Sequence, residues 1–128
     1  MKMVVRNPSR GIYPATSDYV HAMEVQEPTR FLYAAGTMGL DENGIAGKTL
    51  TEQLDLIWRN IRAILASADM SVDNIVRLTS FLRDPAYAEE NAKARVRALN
   101  GRVIPTIGIV AQTLSSDWLV EIEVVAAA

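Results

Sequence analysis

The final stretch of the chain, Pro105–Ala126, constrains the fold more than any other. Two apolar runs flank the turn-forming segment Ser115–Asp117, a pattern that predicts two antiparallel strands joined as a hairpin. Because side chains alternate along a strand, Glu121 and Glu123 must share one face of the second strand. Charged groups are rarely buried unless they are paired or put to use. This face is therefore either a solvated surface or one side of a functional site, and the strand alone leaves both interpretations open.

The composition excludes several classes of protein. With 128 residues, 49% of them hydrophobic and 22% charged, the chain is expected to fold as one globular domain over residues 1–128. A net charge of −2 gives no reason to expect nucleic acid as a partner. Cysteine is absent and His21 is the only histidine, which argues against disulfides, thiol chemistry and a metal site. Neither a signal peptide nor a membrane-spanning run is evident, so a cytoplasmic protein is expected.

Periodicity and turn residues divide the rest of the chain. Strands are predicted at Met3–Val5, Tyr19–Val25, Phe31–Met38 and Ile75–Leu82, and helices at Thr51–Asp69 and Asp84–Asn100. The strands before and after the turn at residues 27–29 are expected to pair as a hairpin. This order predicts an α+β domain with four to six strands and two helices on one face of the sheet. The other face, which carries Leu119 and Val125, stays partly apolar, and a second copy of the chain is expected to cover it.

Three other features have simpler explanations than a functional site. Glu89, Lys93 and Arg97 follow one another at four-residue spacing on the second helix, which predicts a solvated face with ion pairs rather than a nucleic-acid patch. No nucleophile motif accompanies His21 to complete a catalytic triad. Trp58 is expected to be a packing residue of the first helix.

Several segments, in this order along the chain, resemble the RidA (YjgF/L-PSP endoribonuclease) family. They are Ser17–Val20, residues 31–44, residues 51–84, the second helix around Asn91, Ile104-Pro105 and the ending LVEIEVVA at residues 119–126. The resemblance implies a chorismate-mutase-like fold with a mixed β-sheet, assembled as a homotrimer whose sheets form a central barrel. It also implies three sites between subunits, which bind a small metabolite and hydrolyse reactive enamines or imines to a 2-keto acid and ammonia without a cofactor.

The resemblance assigns roles to single residues. Glu121, the first glutamate of the E-I-E element, matches the residue that holds the attacking water, and Tyr19 matches the tyrosine of the N-terminal motif. Gly36 matches a glycine whose backbone borders the pocket, and Asn91 matches the asparagine of the second helix. Ala35, beside Gly36, is small enough to let a ligand approach the strand. Glu121 and Tyr19 are thus the predicted catalytic residues, and the other three are predicted to contact substrate.

One position departs from the pattern of the deaminating family members. Those proteins carry an arginine two residues after the proline, in a P-x-R segment, whereas here Pro105 is followed by Thr106 and Ile107. An apolar isoleucine at the binding position cannot grip a carboxylate through two nitrogens. Arg102, which lies shortly before the strand, is the candidate replacement.

Two functions from different classes follow. The first is hydrolysis of a reactive enamine or imine at a cleft between subunits, by a water molecule that Glu121 activates. The alternative is a non-catalytic trimer that binds a small metabolite or acts as a chaperone. The family's older ribonuclease label has no support in the charge balance or in any basic and aromatic surface.

Overall fold

The computed structural model describes residues 1–128, and its elements follow the predicted order of strands and helices. The strands are β1 (Lys2–Arg6), β2 (Ala22–Gln26), β3 (Phe31–Tyr33), β4 (Thr37–Met38), β5 (Ile75–Leu82), β6 (Thr106–Val110) and β7 (Val120–Ala127), and the helices are α1 (Leu50–Ala66) and α2 (Ala88–Ala98). β5 has the predicted bounds. Neither helix is long and apolar enough to cross a membrane.

Five of the strands form one mixed sheet in the order β3-β7-β5-β6, and the short β4 also pairs with β7. β6 runs parallel to β5, whereas β7 runs antiparallel to β3, β4 and β5. Both helices pack on one face of this sheet, as the sequence predicts for an α+β domain. β1 and β2 form a separate two-stranded sheet.

Two predicted strand pairs are wrong. β6 and β7 do not form a hairpin, because β5 lies between them and binds both. The strands on either side of the turn at residues 27–29 do not pair either, since β2 binds β1 and β3 binds the far end of β7. In both cases the sequence identifies the turn residues correctly. A turn, however, is a local feature and does not specify with which other strand each of its two flanking strands pairs. The segment between β6 and β7, residues 111–119, is long enough to cross the end of β5.

Capping residues explain where the helices begin and end. Thr49, not Thr51, is the N-cap of α1, and its side chain accepts a hydrogen bond from the backbone N–H of Glu52. Asp84 caps a short 3₁₀ turn at Pro85–Tyr87, so that α2 itself starts only at Ala88. After α2 the chain reverses through two left-handed residues, of which the second is Gly101, the predicted helix stop.

The core lies between the helices and the sheet. A cluster of 17 buried residues combines the apolar stripe of α1, the inner side of α2 and alternate residues of β5 and β7. Leu119 was predicted on the opposite face, but it packs against this cluster, because β7 begins only at Val120 and the N–H of Leu119 binds the Gln53 side chain instead of a strand. Trp58 is 3% exposed and is a core residue, as predicted.

The face of the sheet away from the helices is uncovered in the single chain. Large apolar side chains remain exposed there: Phe31 by 51%, Tyr33 by 74%, Ile107 by 43% and Ile109 by 42%. Val125 lies on the same face between Tyr33 and Arg77 and is half-buried. The predicted partly apolar outer face is therefore present.

Candidate functional site

Glu121 lies on the uncovered face of the sheet and lines a surface cavity. Its Cα is opposite Phe81 of β5 on one side and Met38 of β4 on the other. The cavity has a volume of about 140 Å³ and is lined by Phe81, Ala111, Gln112, Thr113, Leu114 and Glu121. Glu121 is half-buried and supplies the only charged side chain of this lining. It belongs to none of the ion pairs of the chain.

Gly36 leaves the space that the Glu121 carboxylate occupies. A Cβ at this position would lie 2.8 Å from Cδ of Glu121 and would overlap Oε2. Any side chain at residue 36 would therefore displace the carboxylate. Ala35, its exposed neighbour, accepts a hydrogen bond on its carbonyl from the Thr37 hydroxyl at 3.2 Å. The structure thus places Gly36 directly beside the Glu121 carboxylate.

The wall of the cavity is the connection between β6 and β7, and Arg83 holds it in place. Arg83 directly follows β5, and its Nη1 donates to the carbonyl and the hydroxyl of Thr113, both at 3.0 Å, and to the carbonyl of Ser115 at 3.3 Å. The Thr113 hydroxyl also lies 2.6 Å from the carbonyl oxygen of Trp118. A half-buried guanidinium therefore binds backbone and hydroxyl oxygens of one loop and has no carboxylate partner.

Gln53 holds the other end of the same connection. This α1 residue is 2% exposed, and its amide nitrogen donates to the carbonyl of Asp117 at 2.7 Å while its amide oxygen accepts from Leu119 N–H at 2.9 Å. The connection is thus tied to the helix layer at one end and to β5 at the other. Such paired contacts fix a loop that has no regular structure of its own.

Sequence reasoning missed this wall entirely. The sequence pattern predicts that residues 111–114 belong to a strand of a hairpin, and it indicates no role for Arg83 or Gln53. A half-buried arginine and a buried glutamine give no local pattern, because their partners lie 30 to 66 residues away in the chain.

Tyr19 lies away from this cavity within the chain. The N–H of its neighbour Val20 donates to the carbonyl of Ile104 at 3.3 Å, near the start of β6, and the Tyr19 ring meets the His21 ring edge-on at 5.8 Å. Thr106, which starts β6, pairs with Leu78, three residues before Phe81 on β5. Three residues of a strand span about 10 Å, so the end of β6 near the Tyr19 segment lies about that far along β5 from Phe81 of the cavity.

An ion pair fixes the segment that carries Tyr19. Arg95 of α2, with 8% of its side chain exposed, contacts Asp18 Oδ2 at 2.6 Å and donates to the Asp18 carbonyl at 3.2 Å. A hydrogen bond from the Thr16 hydroxyl, joined by the Arg95 guanidinium, lowers the pKa of Asp18.

The other three predicted site residues, which are Asn91, Ile107 and Arg102, also lie apart from Glu121 in the single chain. Asn91 is 4% exposed among the residues that α2 packs inward, on the helix side of the sheet, and its Oδ1 has no hydrogen-bond partner. Ile107 is on the uncovered face, opposite Thr79, but β5 separates it from β7. It is exposed and available to a neighbouring molecule.

Arg102 is committed to another part of the fold. Its Nη1 donates to the carbonyl of Ile75 and its Nη2 to the carbonyl of Asp73, each at 2.8 Å. Burial lowers the pKa of the Arg102 guanidinium. Ile75 and Phe81 are six residues apart on β5, about 20 Å in an extended strand. The structure therefore does not bring Arg102 to the Glu121 cavity.

The family model for endoribonuclease L-PSP matches residues 12–128, which is nearly the whole chain. The chain belongs to this family. Solved proteins of this family, the Rid family, include YyfB and RidA.

Individual Rid-family relatives agree with this assignment. The Rid protein YyfB from Yersinia pestis, described as of unknown function, is 26% identical, with a TM-score of 0.84 and complete coverage of both chains. RidA from the Antarctic bacterium Psychrobacter is 23% identical over 89% of this chain and 91% of its own, with a TM-score of 0.73, a likeness that concerns the fold alone. Mitochondrial Mmf1 from Saccharomyces cerevisiae is 32% identical over 82 residues, which are 62% of this chain and only about half, 54%, of Mmf1.

The Rid-family chain has no cluster of three or more histidine, cysteine, aspartate or glutamate side chains that could hold a metal ion. Its candidate site consists of the Glu121 carboxylate with the Gly36 backbone beside it, the Phe81 side chain and the uncharged loop residues 111–114. Such a set can accept a proton, orient a water molecule and enclose an apolar group.

Proposed function

We propose that this Rid-family chain hydrolyses a reactive enamine or imine to a carbonyl compound and ammonia. One observation carries the proposal: the Glu121 carboxylate lies half-buried in a largely uncharged cavity, with the bare backbone of Gly36 beside it. A carboxylate in this position can take a proton from a water molecule that shares the cavity with the substrate.

In the proposed reaction, water adds to the carbon of the protonated imine, R₂C=NH₂⁺, while Glu121 takes one water proton. The C–O bond forms as the π electrons of C=N move to nitrogen, which gives a neutral carbinolamine. Glu121 then protonates the nitrogen, and the C–N bond breaks as the hydroxyl proton passes to the carboxylate. That proton finally moves to ammonia, so that R₂C=NH₂⁺ and H₂O become R₂C=O and NH₄⁺. An enamine enters the same route after protonation at its β-carbon.

The proposed assembly is a homotrimer in which the sheets pack into a central barrel, as in a chorismate-mutase-like trimer. The exposed Phe31, Tyr33, Ile107 and Ile109 support it, because a large apolar face on one chain favours a protein partner. The position of Tyr19 supports it as well. Because Tyr19 and Glu121 are far apart within one chain, they can share a cleft only if they come from two neighbouring subunits.

The decisive experiment removes the carboxylate alone. With 2-aminoacrylate or its imine generated in situ, or with imines that lack a carboxylate, Glu121→Gln should lower kcat/KM by about 10²- to 10⁴-fold, the usual contribution of a positioned general base. The loss of imine is followed by trapping the unreacted species. Turnover in Glu121→Gln equal to that of the wild type would exclude Glu121 as the base.

Glu123→Gln is the matched control. Glu123 is two residues further along β7, on the same face, exposed and outside the cavity lining. The same change of charge there should leave turnover unaltered. Wild type and both variants should sediment at about three times the 14.1 kDa mass of the chain, so that a difference in activity reports on the site and not on assembly.

A second candidate is a non-catalytic trimer that binds a small metabolite in the same cleft. It is favoured by the absence of any cationic side chain from the cavity lining, since a carboxylate-bearing substrate would find no charged partner there. This candidate predicts thermal stabilisation by a ligand in a protein that accelerates no imine hydrolysis. Measurable turnover that depends on Glu121 would contradict it.

A further inference from the structure

We propose that the Glu121 cavity selects imines whose carbon bears an apolar, uncharged substituent, and that Arg83 is the positioning residue for the wall that makes this selection. The inference rests on the proposed imine hydrolysis and names the substrate class of the same site.

The lining favours a hydrocarbon group over an anion. Phe81, Ala111 and Leu114 are apolar, and Gln112 is polar but uncharged. The one charge that this chain supplies is that of Glu121, so a substrate carboxylate would meet a like charge with no cation from the same lining to offset it. A protonated imine nitrogen, in contrast, is attracted by the same carboxylate.

Arg83 does not supply the missing cation. It is not part of the cavity lining, because Thr113 stands between it and the cavity and takes two hydrogen bonds from Nη1. A third goes to the carbonyl of Ser115. The guanidinium therefore acts on the loop, and through the loop on the shape of the cavity.

The part of the cleft that one chain forms has room for a substituent of moderate size. A cavity of about 150 Å³ with apolar walls is large enough for benzene, and this one measures about 140 Å³ and is open on one side. An isobutyl or phenyl group fits such a space, and the methyl group of 2-iminopropanoate would leave most of it unfilled.

Two imines that differ only in the carboxylate test the selection. An amine oxidase converts 3-methylbutylamine to 3-methylbutan-1-imine, and an amino-acid oxidase converts leucine to 2-imino-4-methylpentanoate, each with dioxygen as oxidant and catalase present to remove peroxide. Both imines carry the same isobutyl group. The wild type should hydrolyse the carboxylate-free imine with a kcat/KM at least about tenfold higher, because an unpaired like charge opposes binding of the other.

Substitutions at Arg83 test the positioning role. Arg83→Met should raise KM for 3-methylbutan-1-imine by about tenfold, more than it lowers kcat, because Glu121 stays on β7 while the wall loosens. Arg83→Lys keeps a donor and should recover part of the loss. Thr113→Val removes the shared hydroxyl at nearly constant volume and should shift KM in the same direction. Arg59→Met, an exposed arginine of α1 with no side-chain partner, is the matched control and should behave as the wild type.

The outcomes separate this inference from the proposed function. Preference for 2-imino-4-methylpentanoate, with turnover that depends on Glu121, would overturn the inference and leave the function standing. If Arg83→Met selectively lost activity toward 2-imino-4-methylpentanoate, Arg83 would be shown to bind the carboxylate itself. That result would also overturn the inference. Hydrolysis of neither isobutyl imine, alongside Glu121-dependent turnover of 2-aminoacrylate, would overturn the inference and leave the proposed function standing. Absence of turnover with all three substrates would remove both.

Discussion

The two faces of the five-stranded sheet share one backbone but differ in almost everything else. On β7, Val120, Ile122 and Val124 point to the helices and are at most 2% exposed, whereas Glu121 and Glu123 point to the uncovered side. The covered face excludes charge, because a buried carboxylate without partners is costly. The uncovered face can keep a carboxylate at moderate cost. Buried core residues and outward-facing carboxylates therefore alternate along one strand.

The largest expected contrast comes from truncating one isoleucine on each face. Ile122→Ala, at a position with no exposed surface, should lower the free energy of unfolding by about 2–5 kcal/mol, because it leaves a cavity in the core. Ile109→Ala, at a position that is 42% exposed, should cost about 1 kcal/mol or less within the chain. Chemical denaturation measures both values, and sedimentation checks whether the loss at Ile109 falls on assembly instead. Equal losses in the free energy of unfolding for the two variants, with assembly unchanged, would show that both faces are equally buried within one chain.

The next contrast uses two glycines near the sheet. A Cβ at Gly39 would lie 2.5 Å from the Gln53 backbone, so Gly39→Ala should lower the free energy of unfolding by about 1–3 kcal/mol. The three atoms nearest to a Cβ at Gly36 all belong to the flexible Glu121 side chain, so Gly36→Ala should lower activity with little effect on stability. Thermal unfolding and the imine assay measure the two effects separately. A strongly destabilised Gly36→Ala variant with normal activity would refute the proposed separation of roles.

The smallest expected effect concerns the N-terminal segment, which packs on α2 and belongs to neither face. The pKa of Asp18 is lowered in the folded chain, so its contribution to stability is present above the ordinary value of 3.8 and is lost as the pH falls through the folded-state pKa. Asp18→Asn should therefore be destabilised at pH 7 by at most about 1 kcal/mol, since the pair is partly exposed. Denaturation across this pH range should show the difference between wild type and variant vanish at low pH. A difference independent of pH would contradict the role of the charge.

Much of the fold was predictable because its signals are local. The run from Ile75 to Leu82 has a strand's length and composition, and the three- and four-residue spacing of apolar residues identified the buried stripe of α1. The alternation in LVEIEVVA placed Glu121 on the face away from the core. The family resemblance, confirmed by the family model, added the likeness to Rid proteins.

What only the tertiary structure decided depends on contacts between residues far apart in the sequence. Strand pairing is one case, since β5 displaced the expected hairpin by binding both β6 and β7. The cavity is the other, because Arg83 and Gln53 hold residues 111–119 through side-chain contacts that leave no periodic trace. Periodicity reports which face of an element is apolar, but it does not report which elements meet, because that choice is made by the free energy of the whole packed chain.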